Sequence, residues 1–367
     1  MNDQSHEFAM AAPASAFRFT GTWREYLPIA LTNLLLTLVT LGVYRFWARA
    51  RERRYLWSRT EFIDDTLEWT GTGREMFIGF LIVMALLLPA LLFLQFGFQA
   101  LIVRQRFVLA FSTMFLIYGG IFFLTGVARY RALRYRLSHS WWHGIRGGGE
   151  PGGWRYGFTY LWKMAAGASA AGMLIPWAMT SLWNQRWRAM SFGPWRFEAD
   201  TDFSPLMGRW ILMLVSPFLL LFAAALLGFM AVGLGAASGA SGQTGQVLGV
   251  IMVVLMVLGI YIGFAILGVG YWAKFLREAI GHTRLGGLEF SFHARSWDWL
   301  KLFLGNVGLV VVTLGIGIAF LGYRNWAFFI RHLEATGTVE LDDFTQSQTD
   351  ASGDAEGLAS AFDIGAI

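Results

Sequence analysis

Four stretches of this chain, residues 77–94, 107–127, 210–232 and 247–270, contain no formally charged side chain. Each is long enough to cross a hydrocarbon layer of about 30 Å. Backbone polar groups in such a layer must be paired within the chain, which restricts these stretches to helices. Composition agrees, because 56% hydrophobic, 16% aromatic and 14% charged residues do not make a soluble surface. Three further apolar runs, 26–44, 164–183 and 302–323, are nearly as long. Whether these three also cross is the main structural question.

The segments between the runs repeat. Asn33, Thr40, Leu41 and Gly42, followed by YRFWA at 44–48, return as Asn306, Thr313, Leu314 and Gly315, followed by YRNWA at 323–327. TGTWREY at 20–26 returns as TGTGREM at 70–76, each after a short strand-like run. Thr22 with Glu25, and Thr72 with Glu75, have the spacing of a capping box that starts a helix. After each basic segment come short alternating runs around a turn, at Asp64–Asp65, Gly193–Pro194 and Gly286–Gly287. Residues 335–344 repeat the pattern, residues 141–158 do so more loosely, and Gly147 to Gly149 read as a flexible turn.

These patterns predict an α-helical polytopic membrane protein with internal repeats. It has four long spans, three shorter helical passages that either re-enter or span, and short cytoplasmic β-hairpins after basic helices. The repeated membrane domain covers 17–344, in units of about 17–63, 66–145, 154–192, 195–285 and 288–341. Residues 1–16 and the acidic tail at 345–367 lack the apolar bulk to fold, and 233–246 reads as an uncharged external loop.

Positively charged flanks stay in the cytoplasm. If all seven runs cross, thirteen of the twenty-nine Lys and Arg residues fall outside. If the short passages instead turn back, bent at Gly42, Pro176 and Gly315, only Arg104 and Arg106 do. The count favours re-entry, with a seven-span, N-out arrangement as the alternative. Both put the C-terminus in the cytoplasm.

The chain has no cysteine, which excludes disulfides, thiol chemistry and a thiolate ligand set for zinc or an iron–sulfur cluster. No secretory signal is read, since Asp3 and Glu7 precede the first basic residue, Arg18. A net charge of +5 does not indicate nucleic acid when the arginines crowd the ends of membrane helices. Asn33, Thr40, Asn306 and Thr313 are the candidate polar membrane site, with mutual hydrogen bonding at the bends as the plainer reading. Arg49, Arg53, Arg54, Arg131 and Arg134 are candidate contacts for anionic lipid headgroups, against a role in topology alone.

His139 and His143 are four apart without an HExxH pattern, so no metal site is assigned. His139, His282 and His332 instead suit the ends of basic helices. No Asp, Glu or His lies inside the apolar runs, and no phosphate loop, dinucleotide fingerprint or paired carboxylates are seen. No catalytic set and no cofactor follow from the sequence. The reading is binding or translocation of a small or lipidic ligand. The alternative is a non-catalytic scaffold recruiting a partner or lipid through its strands and basic helices. The partners expected are membrane lipids with anionic headgroups, and self-association stays open.

FRFTGTWREY at 17–26, LLTLVTLGVYRFWARARERRYLW at 35–57, EWTGTGREMFIGF at 68–80, HTRLGGLEF at 282–290 and the later TLG with YRNWA give the chain a family likeness. It resembles the YjgN family of bacterial inner-membrane proteins, classed as a domain of unknown function. The resemblance implies a multi-pass protein of the bacterial inner membrane. It brings no established catalytic residues.

Overall fold

The computed structural model describes residues 16–237, 243–337, 345–347 and 349. β1 (Phe17–Phe19) leads into α1 (Trp23–Val39), and α2 (Arg45–Ser58) returns to β2 (Thr60–Phe62). β3 (Asp65–Thr66) and β4 (Glu68–Trp69) precede a long pair. In it α3 (Gly73–Leu92) passes through a π-helical turn at Phe93–Gly97 into α4 (Phe98–Val103), and α5 (Phe107–Ser138) returns to β5 (Ser140–Trp142). A short pair, α6 (Gly153–Ser169) and α7 (Ile175–Arg188), stands between β6 (Ile145–Gly149) and β7 (Met190–Phe192). The second long pair, α8 (Ser204–Ala237) and α9 (Gln243–Gly281), stands between β8 (Trp195–Ala199) and β9 (Thr283–Leu285). β10 (Leu288–Phe292), α10 (Ser296–Val312), a 3-10 turn at Ile316–Phe320, α11 (Leu321–His332) and β11 (Leu333–Gly337) complete the order.

Among the described residues, four helical stretches, Gly73–Val103, Phe107–Ser138, Ser204–Met230 and Val250–Gly281, are long and apolar enough to cross a membrane. They contain the four uncharged runs or most of each. The expected loop at 233–246 is largely helix, since α8 runs to Ala237 and α9 starts at Gln243. The expected disordered ends fall mostly outside the described residues.

One backbone hydrogen bond recurs at the base of each helical pair. The N–H groups of Thr20, Thr70, Glu150, Asp200 and His293 donate to the carbonyls of Arg59, His139, Ala189, His282 and His332, at 2.8, 3.1, 2.9, 3.1 and 2.9 Å. Each bond ties the start of a pair to its end, so both helices of every pair, long or short, are rooted in the strands. The three short pairs also reverse direction in one way, through two successive left-handed residues. These are Leu41 and Gly42 (φ 51° and 92°), Ala171 and Gly172 (50° and 80°), and Leu314 and Gly315 (50° and 95°). Glycine takes the second position without the Cβ clash that makes this region costly for other residues. The bend expected at Pro176 is therefore displaced to Ala171–Gly172. Pro176 lies in the first turn of α7, where its missing N–H costs nothing.

The strands pair antiparallel throughout, from β4 to β11 in sequence order and from β1 to β3. Leu67 joins β3 to β4, its N–H donating to the Thr60 carbonyl at 2.9 Å. Strand side chains alternate between faces. On one face Phe62, Trp142, Leu288 and Ala335, drawn from β2, β5, β10 and β11, meet in a single apolar cluster. Phe17 of β1 stacks on Phe62 at 4.4 Å and reaches Phe290 of β10 at 6.5 Å. Strands far apart in the ladder therefore share one core, and the sheet curls until β1 lies beside β11. The opposite face is charged and ion-paired, with Arg18–Glu61 at 3.5 Å, Arg196–Glu150 at 2.8 Å and Arg284–Glu289 at 3.0 Å.

Two local expectations change. The first hairpin turns at Ile63–Asp64, one residue earlier than Asp64–Asp65, because Asp65 enters β3 and Ile63 takes φ 60°. Gly147 to Gly149 are strand, not flexible turn. A Cβ on Gly147 would stand 2.6 Å from the Leu137 carbonyl oxygen, and one on Gly149 2.6 Å from the Met190 sulfur, so glycine lets β6 lie directly against α5 and β7.

Candidate functional site

The four polar residues singled out in the apolar runs each bond within their own helical pair. Thr40 Oγ1 donates to the Leu36 carbonyl (2.7 Å) and accepts the Tyr44 N–H (2.9 Å). Thr313 Oγ1 repeats this with Leu309 (2.6 Å) and the Gly317 N–H (2.7 Å). Each threonine thus closes one helix and opens the next. Asn33 Nδ2 donates to the Ala48 carbonyl at 3.2 Å, and its Oδ1 is buried without a partner among the described residues. Asn306 donates to Asn325 (2.9 Å) and accepts from Arg324 Nε (2.8 Å). None of the four bonds to another of them, so the mutual hydrogen bonding expected between them is replaced by bonds inside each pair.

The predicted headgroup arginines also make internal contacts. Arg53 is buried with its guanidinium 5.0 Å from the Trp69 ring centre, Arg131 stands 5.4 Å from that of Trp154, and Arg134 Nε donates to the Gly149 carbonyl at 2.9 Å. Arg49 is half-buried, and Arg54 is exposed. His139, His282 and His332 each place Nδ1 2.8–2.9 Å from the carbonyl four residues earlier, the end-of-helix role expected. His143 lies in the β5–β6 turn against Asp64 at 2.9 Å, apart from the helix that carries His139.

Sequence reasoning misses a basic pocket. A cavity of about 480 Å³ opens where the start of α8, the end of α9 and the start of α10 meet, lined by Arg209, Arg277, His293, Arg295, Ser296 and Trp297. Packing positions the cations: Arg209 donates to the Gly270 carbonyl and to Ser296 Oγ (3.3 Å), and Arg277 to the Ala294 carbonyl (3.2 Å). The Arg295 N–H is held by the Asp298 carboxylate at 2.9 Å, which starts α10. Arg277 lies within electrostatic reach of both Arg209 and Arg295, with Glu278 as the acidic group acting on it. His293 is paired with Glu334 at 2.9 Å. Three guanidiniums around one cavity favour a compact anion, since they offer several fixed donors and an excess of positive charge. Trp297 is 59% exposed at the rim, an amphipathic ring of the kind that sits at headgroup level.

A half-buried carboxylate, Glu52, lies inside the segment whose sequence looks uniformly basic. Glu52 accepts from the Tyr26 hydroxyl at 3.0 Å, and its Oε1 lies so close to Gly322 that a Cβ there would collide with it. Burial raises its carboxyl above the usual range, while the Tyr26 hydrogen bond and the charges of Arg49 and Arg53 act the other way.

Comparison with known proteins bears on the whole chain. Over 83 residues it is 34% identical to the inner membrane protein YjgN of Salmonella typhimurium (strain LT2), covering 23% of this chain and 21% of that protein. Over 69 residues it is 36% identical to the inner membrane protein YjgN of Escherichia coli K12, covering 19% and 17%. The matched segments thus span about a fifth of the length of these relatives. No solved structure matches the chain. The family described as bacterial protein of unknown function (DUF898) matches residues 14–361. The chain belongs to this family.

Proposed function

We propose that the chain is a multi-pass protein of the bacterial inner membrane that binds an anionic lipid at the cytoplasmic leaflet and carries out no chemistry on it. The pocket of Arg209, Arg277 and Arg295, open between helix ends beside Trp297, carries this reading. Its depth fits: two of its elements are long apolar helices, and the third starts directly after a strand. In this reading the curled sheet is cytoplasmic, four helices cross, and the short pairs re-enter as wedges in one leaflet. The five similarly rooted pairs are then diverged copies of one unit. Binding, rather than translocation, is retained because Thr40, Thr313 and Asn306 are bonded within their own pairs, and only the Oδ1 of Asn33 is left over.

The test compares purified wild type with Arg277→Gln and Arg295→Gln in nanodiscs of phosphatidylcholine, with and without phosphatidylglycerol. Phosphatidylglycerol is expected to raise the wild-type melting temperature, and each variant to lose most of that rise. Equal rises in all three proteins would remove the pocket from the account. Recruitment of a partner by the sheet is the second reading. It is favoured by Gln346 and Ser347, which already bond to the polar face at Gly144, Arg146 and Ser191.

A further inference from the structure

A second cluster of cations lies apart from the pocket, at the junction of α5, α6 and α7. The backbones of α5 and α6 approach closely because both carry glycine at the contact. A Cβ on Gly126 would stand 2.6 Å from Tyr160 Cβ, and one on Gly157 2.6 Å from Val127 Cγ2. That approach sets Arg129, one turn beyond Gly126, with its guanidinium 5.5 Å from the Tyr160 ring centre. On the other side the Tyr156 hydroxyl donates to the Leu182 carbonyl at 3.1 Å, locking α6 to α7. Arg186, one turn beyond Leu182, is thereby brought beside Tyr156, with its guanidinium 5.5 Å from the Trp183 ring centre.

The two guanidiniums sense each other's charge, and the remaining groups that act electrostatically on Arg186 are the phenols Tyr156 and Tyr160. No carboxylate is among them. The Nε atoms of both arginines are buried and have no hydrogen-bond partner among the described residues. Burial, and then the charge of Arg129, push the Arg186 guanidinium below the ordinary arginine range. Both residues are half-buried; ring faces offset part of the cost of holding two like charges in such a corner, but a quadrupole supplies no counter-charge. Arginine also presents several fixed donors, of which ring contacts use none.

We infer that Arg129 and Arg186 jointly bind a phosphate-type oxyanion in the corner between α5, α6 and α7, as a second anion site independent of the pocket at Arg209, Arg277 and Arg295. Free inorganic phosphate and the phosphate of a lipid headgroup share the required chemistry: tetrahedral oxygens, negative charge and the capacity to accept from two guanidiniums at once.

The experiment uses the full chain with two probes. One arm follows thermal unfolding in detergent as sodium phosphate replaces sodium chloride at constant ionic strength. The other adds phosphatidylglycerol to phosphatidylcholine nanodiscs. All substitutions are made in the Arg295→Gln background, where the pocket's share of the response is gone, and that background is expected to keep a stabilisation in at least one arm. Arg129→Gln and Arg186→Gln should lose that response or need at least tenfold more probe for half of it. A response to inorganic phosphate assigns a free anion, and a response to phosphatidylglycerol alone assigns a headgroup. Arg186→Lys keeps the charge without the fork, and it covers the case in which the glutamine variants fail to fold; its response is expected to be weakened. No response of Arg295→Gln in either arm, or equal responses in Arg295→Gln and in the Arg129 and Arg186 variants built on it, would overturn the inference. A wild-type response that Arg295→Gln loses entirely in both arms is the first of these outcomes, and it would leave the pocket reading standing.

Discussion

The indole rings of Trp57 and Trp326 stack with their centres 4.2 Å apart, joining the first helical pair to the last. Each ring nitrogen reaches a strand residue, Trp57 donating to Ser140 Oγ and Trp326 to Thr60 Oγ1, both at 2.9 Å. Beside them Tyr26 stacks on Tyr323 at 5.2 Å, and Tyr323 donates to the Gly21 carbonyl at 3.0 Å. The chain therefore closes on itself in a seam, with α1, α2 and β1 against α11 and β11.

The seam should behave as a coupled unit. Truncating Trp326 to Ala is expected to destabilise the protein by about 3 kcal/mol, since large aromatic deletions leave a cavity. Trp57→Ala should do the same, and the double variant should lose about 1 kcal/mol less than the sum, the coupling of a stacked pair. Denaturant titration in micelles measures all three. Strict additivity would mean that the rings stabilise their own helices and not each other.

Leu41 and Leu314 sit at the tips of two short pairs, 94% and 93% exposed, each with a left-handed backbone. In water, Asp at such a position would be favourable, because its short polar side chain tolerates that backbone better than Leu does. Within hydrocarbon the same change costs about 2–3 kcal/mol. Leu41→Asp with Leu314→Asp is therefore expected to lower stability in nanodiscs. A rise in melting temperature would place the tips in water.

Thr40→Val and Thr313→Val keep shape while removing the hydroxyl that pairs Tyr44 N–H or Gly317 N–H. An orphaned N–H away from water costs about 1–3 kcal/mol, and the two losses should add because the turns are separate. Guanidinium or thermal unfolding of the single and double variants checks this. The middle short pair carries Ala170 where the other two have Thr40 and Thr313, and it shows that the left-handed turn forms without the hydroxyl.

Glu52 gives a pH dependence with a definite sign. Its folded carboxyl is raised above the ordinary value of 4.5, first by burial. The fold therefore prefers the protonated form: this contribution is fully present below 4.5 and is lost as pH rises through the folded value. Glu52→Gln retains an acceptor for the Tyr26 hydroxyl without charge. It should flatten the fall in melting temperature above pH 5 and be more stable than wild type at pH 8. A variant less stable than wild type at pH 8 would show that the charged form is the one the fold uses.

Features set by neighbours along the chain are legible in the sequence itself. The capping box at Thr72 and Glu75 forms as its spacing requires, with bonds of 3.3 and 3.2 Å, and Thr22 accepts from the Glu25 N–H at 3.4 Å. The turns at Gly193–Pro194 and Gly286–Gly287 fall where glycine allows a left-handed backbone. The turn at Ile63 is not legible, because a β-branched residue rarely adopts φ 60°. The glycines of β6 look like a loop until α5 and β7 are seen to need their missing side chains. Glu52 is hidden among arginines that dominate its own segment. The pocket arginines come from three different helix ends, and no local spacing brings Arg209 to Ser296.

The central claim is that every strand lies on one side of the membrane, so that the short pairs turn back while the long pairs cross. Single cysteines at Pro194 and Gly287, the exposed tips of two hairpins, and at Gln105 between α4 and α5, can be labelled in intact cells in this cysteine-free background. A membrane-impermeant maleimide applied from the periplasm is expected to label Gln105→Cys and to leave Pro194→Cys and Gly287→Cys unlabelled until the membrane is permeabilised. Labelling of either hairpin tip in intact cells would contradict the account and require all seven apolar runs to cross.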